Sequence, residues 1–179
     1  MMIPSFSIIT DSIELKLLSD HDAEQLQLLI QTSPTLHRWI DWCHPDFSLQ
    51  EAQQFIALTR SNWAKSTGFG FGIYCRASGT LYGMVAINEL YQTFNMVSIG
   101  YWIADRYQRR GLGRNSIQAL VNFCFEMLKV TRVEIVCDPS NHASRRAIEL
   151  CGAQFETIAE NRFIYAKQPK DGAVYAIVP

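Results

Sequence analysis

Ile99-Gly100-Tyr101-Trp102-Ile103-Ala104-Asp105-Arg106-Tyr107-Gln108-Arg109-Arg110-Gly111-Leu112-Gly113 is the stretch that decides the reading of this chain. It opens with β-branched and aromatic residues, the composition of a strand. A loop with two glycines follows. After it Ile117, Leu120, Val121, Cys124 and Leu128 recur at helical spacing, which predicts a helix to about Lys129. A strand that turns through glycines into a helix presents unpaired backbone N–H groups at the positive end of the helix dipole. That arrangement is a seat for a phosphate or pyrophosphate. Arg109, Arg110 and Arg114 add positive charge around it. The Gly-Lys-Ser/Thr ending of a nucleoside-triphosphate loop is missing, and no third glycine follows Gly113 at dinucleotide-binding spacing. Taken alone, Gly-x-Gly fits equally a tight strand-to-helix turn with solvated arginines.

Working outward, strands are expected at residues 69–76, 81–90 and 97–103, joined by a Ser78-Gly79 turn and a polar turn at 92–95. Such short connections make antiparallel neighbours. The β-branched run at 132–137 completes a strand–helix–strand unit, hence a parallel crossover. Upstream, residues 8–18 read as one strand, with Ile13, Leu15 and Leu17 alternating with Glu14 and Lys16. Ser19, with Asp22 three residues on, opens a helix. Pro34 starts a second, short one. Ser48-Leu49-Gln50-Glu51 is a capping box for a third, reaching roughly Ala64. Downstream, residues 141–151 form a short helix that Gly152 ends, and residues 154–159 and 173–178 are two closing strands. The fold class is α/β with a mixed sheet. With no repeat and no linker-like stretch, one domain spans residues 1–179.

The composition is that of an ordinary globular protein: 48% apolar, 18% charged, formal charge −1. It lacks the basic excess of a nucleic-acid binder, so no nucleic-acid partner is expected. No apolar run approaches the roughly 20 residues that span a bilayer, and no membrane association is expected. The start, Met1-Met2-Ile3-Pro4-Ser5-Phe6, has neither the positive region nor the cleavage site of a signal peptide. Cys43, Cys75, Cys124, Cys137 and Cys151 are odd in number, far apart and without a CxxC. Free thiols in a reducing cytoplasm follow. The four histidines, His21, His37, His44 and His142, are scattered, so no metal is expected.

Gln108-Arg109-Arg110-Gly111-Leu112-Gly113 is a full match to Arg/Gln-x-x-Gly-x-Gly/Ala, the acyl-CoA motif of the GNAT superfamily of N-acetyltransferases, which this chain resembles. Ile99-Gly100-Tyr101-Trp102-Ile103 is similar to the corresponding strand of its ribosomal-protein (RimJ/RimL-like) branch, and Asn141-His142-Ala143-Ser144 to that branch's Asn-x-x-Ser. Trp39-Ile40-Asp41-Trp42 matches more loosely. The resemblance implies a mostly antiparallel sheet with a central parallel pair splayed around acyl-CoA and helices on both faces. It implies acetyl-CoA as the acetyl donor. The pantetheine arm would lie along Trp102, Ile103 and Ala104, with Asn141 contacting it. The pyrophosphate would sit on the amides from Arg109 through Arg110, Gly111, Leu112 and Gly113 to Arg114. The region of Trp39, Asp41, Trp42, Asp46 and Phe47 would form a wall of the acceptor site.

An amine attacks a thioester only when neutral, and near pH 7 an α-amine of pKa about 8 is mostly protonated. A carboxylate that takes the proton is therefore required. Glu160, at a late strand where the branch carries a similar Glu, is the leading base, and Glu89 is its rival. A strand N–H near Ile103 can serve the oxyanion. For the acid, Ser144 in the opening turn of its helix comes first, and Cys137 at the C-terminal end of the crossover strand second. Many relatives carry a Tyr acid seven residues after the Asn, where this chain has Ile148. Ser144, Cys137 or water must substitute. Arg145 and Arg146 are candidates for the 3′-phosphate of CoA.

The expected reaction is direct acetyl transfer to a primary amine, foremost the α-amine of a protein N-terminus such as that of a ribosomal protein. The alternatives are a small-molecule acetyltransferase acting on an aminoglycoside, polyamine or amino acid, and a non-catalytic acyl-CoA-binding module. A homodimer is compatible with the resemblance, and the N- and C-terminal strands offer edges.

Overall fold

A computed structural model describes residues 3–179. Met1 and Met2, part of the start read above as free of a signal peptide, lie outside the described residues. Among these the order is β1 (Ser7–Ile9), β2 (Ile13–Lys16), α1 (Ala23–Gln31), α2 (Pro34–Trp39), α3 (Leu49–Lys65), β3 (Phe69–Cys75), β4 (Leu81–Tyr91) and β5 (Met96–Ile103). Then come α4 (Leu112–Glu126), β6 (Arg132–Cys137), α5 (His142–Glu149), β7 (Gln154–Tyr165) and β8 (Gln168–Ile177). The strands form one sheet in the order β1-β2-β3-β4-β5-β6-β8-β7, in which β5 and β6 are the parallel pair and the other pairs are antiparallel. This is the mixed GNAT-type sheet with helices on both faces.

Two apolar layers hold it. Ile117, Leu120 and Cys124 of α4 and Ile148 of α5 are buried on one face with Ile99, Ile103, Ile135 and Tyr175. Leu26, Leu29 and Ile30 of α1 and Ala52 and Ile56 of α3 are buried on the other with Met84 and Trp102. Ser48 caps α3 by accepting from Glu51 N–H at 3.2 Å, and Glu51 Oε2 accepts the Ser48 N–H at 2.7 Å. That box holds the Glu51 carboxyl down at about 2, the Ser48 backbone bond first among its causes.

Three expectations are corrected. Residues 8–18 are not one strand but the hairpin β1–β2. Thr10 N–H and Thr10 Oγ1 both donate to the Ile13 carbonyl, at 3.0 and 3.1 Å, which folds Thr-Asp-Ser into a tight turn. The helix after the glycine loop stops at Glu126, ahead of Lys129, whose φ is +57°. The closing strands are far longer than residues 154–159 and 173–178. They form a long hairpin whose loop is Ala166-Lys167. The C-terminal strand β8 is accordingly inside the sheet, and the edges are β1 and β7.

Gly83 sets the spacing between β4 and the functional end of β5. A Cβ there would lie 2.1 Å from the Trp102 carbonyl oxygen and 2.9 Å from Ile103 Cα. Both atoms are backbone and cannot rotate away. Gly83→Ala is expected to destabilise the fold by about 2–3 kcal/mol. In a chain of this size that lowers Tm by about 4–12 °C. A thermal melt matching the wild type would show that β5 yields there without strain.

Candidate functional site

The parallel pair is registered only from Met96↔Arg132 to Ile99↔Ile135. Beyond that point the two strands are held by different partners. Residues 100–103 of β5 continue to pair with residues 83–86 of β4, while Val136 and Cys137 of β6 pair with Val174 and Ala173 of β8. A gap therefore opens between the C-terminal ends of β5 and β6. The Ala104 N–H donates to the Tyr82 carbonyl at 3.0 Å, on the β4 side. By the alternation of a strand, the Ile103 N–H points the other way, into the gap. The Trp102 peptide is turned toward β4, and its indole meets Trp42 edge-on at 6.4 Å on the opposite face from α4. Ala104 is fully buried.

The gap leads to the glycine loop. Arg109 has φ +61° and Gly111 φ +75°, so two left-handed residues alternate and turn successive N–H groups to one side. Asn115 is the first residue of α4 whose N–H finds a backbone acceptor, the Gly111 carbonyl at 2.9 Å. Among the described residues, the N–H groups of residues 109–114 have no backbone acceptor. Six adjacent amides at a helix N-terminus flanked by exposed Arg109, Arg110 and Arg114 fit a pyrophosphate. Gly113 is needed for a different reason: its Cβ would lie 3.0 Å from Tyr101 Cε2, so glycine lets α4 start against β5. Leu112 is half-buried beside it. The Gln108 side chain does not face the seat. Its Nε2 lies 2.9 Å from Thr35 Oγ1 and 3.0 Å from the Ile103 carbonyl, tying the loop to α2 and β5. Gln108 thus shapes the loop from behind.

Asn141 caps α5. Its Oδ1 accepts the Ser144 N–H at 3.1 Å, and the Nδ2 donors remain for a ligand. Ser144 Oγ is 3.4 Å from the Tyr101 hydroxyl. Cys137 sits in the same cluster: burial pushes its thiol up, and a bond with Ser144 opposes this. Ser144 and Cys137 are therefore brought together at the open end of the gap, with Tyr101 as a third member. Sequence reasoning passed over Tyr101, although it lies in the motif strand directly before Trp102. Arg145 is already engaged within the protein. Its Nε donates to Tyr175 Oη at 2.8 Å and its Nη1 to the Pro139 carbonyl at 3.3 Å. Tyr175 Oη in turn donates to Glu149 at 2.8 Å, so this network pins α5 to β8. Arg146 remains exposed.

The two carboxylates stand apart. Glu89 lies at the irregularity of β4 opposite Ser98, one residue before the strands diverge. Glu160 is exposed on β7, where the register shifts between Ala159 and Phe163 and Asn161 takes φ +51°. The β7–β8 hairpin runs on past Cys137, the end of β6, and its tip reaches α2. Tyr165 Oη donates to the His37 carbonyl at 2.9 Å, and the Ala166 N–H to Asp41 Oδ1 at 2.8 Å. Since α2 is tied to Asp105 just beyond β5, this clasp bridges the mouth of the gap. Trp42, stacked on Phe55 at 4.5 Å, borders it, while Phe47 is buried in the core. Among the described residues there is no group of three His, Cys, Asp or Glu that could hold a metal.

Residues 12–154 match the family model of the acetyltransferase (GNAT) domain. The chain belongs to the GNAT acetyltransferases. It is accordingly an acetyl-CoA-dependent N-acetyltransferase. The chain is similar to a Vibrio cholerae protein described as a "putative ribosomal-protein-serine acetyltransferase", with 52% identity, a TM-score of 0.93, and 99% of this chain and 100% of that one covered. It is 30% identical over 146 residues to the "Putative ribosomal N-acetyltransferase YdaF" of Bacillus subtilis, covering 80% of this chain and 79% of the other. The acetyltransferase MccE, solved with acetyl-CoA and AMP, shares the fold at a TM-score of 0.85 and 24% identity, over 95% and 94% of the two chains.

Proposed function

We propose that this GNAT enzyme acetylates the α-amine of a protein N-terminus, with a ribosomal protein as the acceptor, in one domain spanning residues 1–179. The observation that carries this reading is the clasp of Tyr165 and Ala166 on His37 and Asp41. A bridge across the mouth of the gap admits a thin chain end more readily than a side chain on a folded surface. The descriptions of the Vibrio and Bacillus relatives support the same acceptor class. Five free cysteines are in keeping with a cytoplasmic setting, and among the described residues no helix is long and apolar enough to cross a membrane.

Acetyl-CoA supplies an activated acetyl thioester. The amides of residues 109–114 hold its pyrophosphate, with Arg109, Arg110 and Arg114 around them. The Ile103 N–H faces the arm and the developing oxyanion. Asn141 Nδ2 contacts the arm, and Ser144 is the donor to the leaving sulfur. Cys137 stays a thiol through burial and is the second donor. Glu160 takes the proton of the amine, directly or through water. Glu89 is a second reading for the base, favoured by its place opposite Ser98 beside the divergence.

Thiol release from acetyl-CoA with N-terminal peptides, polyamines and aminoglycosides tests the acceptor. Selective turnover of peptides is expected. Turnover of small amines alone moves the enzyme to the small-molecule class, and binding of acetyl-CoA with no turnover on any amine points to a binding module. The clasp has its own test, the double variant Asp41→Ala with Tyr165→Phe. Two hydrogen bonds of about 1 kcal/mol each are lost. KM for an N-terminal peptide is expected to rise about tenfold, with acetyl-CoA affinity unchanged and lysine side chains newly accepted. Unaltered discrimination between α-amines and lysines would remove the clasp from acceptor choice.

A further inference from the structure

Tyr101 stands two residues past Ile99, the last residue of β5 paired with β6. Its ring is held under the first turn of α4, against Gly113, and its hydroxyl ends 3.4 Å from Ser144 Oγ. The serine is fixed in turn, because its N–H is bonded to Asn141 Oδ1 at the start of α5. We propose that Tyr101 is a positioning residue for acetyl transfer: its hydroxyl donates to Ser144 Oγ, which leaves the Ser144 O–H to donate to the sulfur of CoA. This rests on the donor role given to Ser144 above.

The argument is one of donor direction. A serine hydroxyl has one hydrogen and rotates to suit its neighbours. With Tyr101 as donor, the serine oxygen is occupied as an acceptor and its single hydrogen is directed elsewhere. Chains of this kind strengthen each member. Burial pushes the Tyr101 hydroxyl up to about 12, so it keeps its proton through the neutral range. A tyrosinate in its place would claim the serine hydrogen for itself. The 3.4 Å separation is long for an O–H···O bond, and such contacts shorten when the site closes on its ligand. Ser144 lends a hydrogen bond as the C–S bond breaks and its electron pair moves onto sulfur. The proton lost by the amine passes through the carboxylate to solvent, and the thiolate takes one from solvent, so the pair itself ends unchanged.

The titratable groups facing the pair are Cys137, at the end of β6, and Cys151, just after α5. Burial holds both as thiols. Arg145, Asp138 and Glu149 surround Cys137, and Arg114 is near Cys151. Of these, Cys137 also bonds Ser144; as a thiol it donates to the second lone pair of the serine oxygen and leaves the serine hydrogen free, and all of them remain in the variants below.

The experiment is calorimetry of CoA, and separately of acetyl-CoA, between about pH 6 and pH 9, which brackets an ordinary thiol pKa of about 8.5. The proteins are wild type, Tyr101→Phe, Ser144→Ala and the double variant, with kcat measured beside them. A donor aimed at sulfur favours the thiolate, so wild-type affinity for CoA is expected to rise about tenfold or more as pH rises. Acetyl-CoA has no thiol to ionise and serves as the control, constant within about twofold. Tyr101→Phe is expected to flatten the CoA profile and to lower kcat about three- to tenfold. Ser144→Ala is expected to do at least as much, and the double variant no more than Ser144→Ala alone. If Ser144→Ala flattens the profile and Tyr101→Phe leaves profile and kcat at wild-type values, the positioning role of Tyr101 is overturned and that of Ser144 stands. If Ser144→Ala changes neither, the donor role of Ser144 falls, and this inference with it. Losses that add in the double variant also overturn the inference, because residues acting through one bond cannot lose it twice.

Discussion

Gly111→Glu is expected to reduce acetyl-CoA affinity by at least about a hundredfold in a protein that still folds. Gly111 has φ +75° and nothing within 4 Å of a built Cβ, so the side chain itself meets open space. The strain of a non-glycine residue in this left-handed conformation is about 1–2 kcal/mol. The larger effect is electrostatic. A carboxylate at the centre of six inward amides occupies the donors meant for phosphate and repels it, and like charges so placed cost several kcal/mol. Gly111→Ala separates the two contributions, because it keeps the strain and removes the charge. It is expected to bind acetyl-CoA within about tenfold of wild type. Calorimetry on both variants, with a melt to confirm folding, decides the matter. Unchanged affinity in folded Gly111→Glu would place the pyrophosphate elsewhere.

Glu160→Gln is expected to lower kcat by about a hundredfold or more near neutral pH, with little change in acetyl-CoA binding. Glutamine keeps the size and the hydrogen bonding of the side chain and removes its ability to accept a proton. The loss should narrow as pH rises past about 8, where an α-amine is increasingly neutral without help. A fully parallel pair of pH–rate profiles would mean that Glu160 acts on something other than the amine's proton. Glu89→Gln is the matched comparison. If it shows the deep neutral-pH loss and Glu160→Gln does not, the base belongs to β4 and the irregularity opposite Ser98.

The parts of the site that depend on neighbours in sequence were legible without coordinates. The loop from Gln108 to Gly113 lies in six consecutive residues, and a helix N-terminus presents its free amides whatever the rest of the chain does. The Ser48–Glu51 cap and the parallel crossover are legible for the same reason. The β7–β8 hairpin was under-read because its loop residues, Ala166 and Lys167, have φ of +50° and +61° without the glycine or asparagine that signals such a turn. The polar run through Pro169 and Asp171 concealed the first half of β8, which begins at Gln168. The Arg145–Tyr175 bond is not legible, because nothing in a sequence distinguishes a solvated arginine from one bonded to a tyrosine 30 residues away.

The family and the acetyl donor are readable from residue types within a few positions of one another, because the motif that carries them is local in the chain. Tertiary structure alone decided where β5 and β6 part, since that depends on β4 and β8 claiming different ends of the two strands. It alone brought Tyr101 to Ser144 across 43 positions, and the hairpin tip to His37 and Asp41 across 128 and 125. Such contacts follow from the packing of whole elements, in which one residue of register moves every side chain to the opposite face.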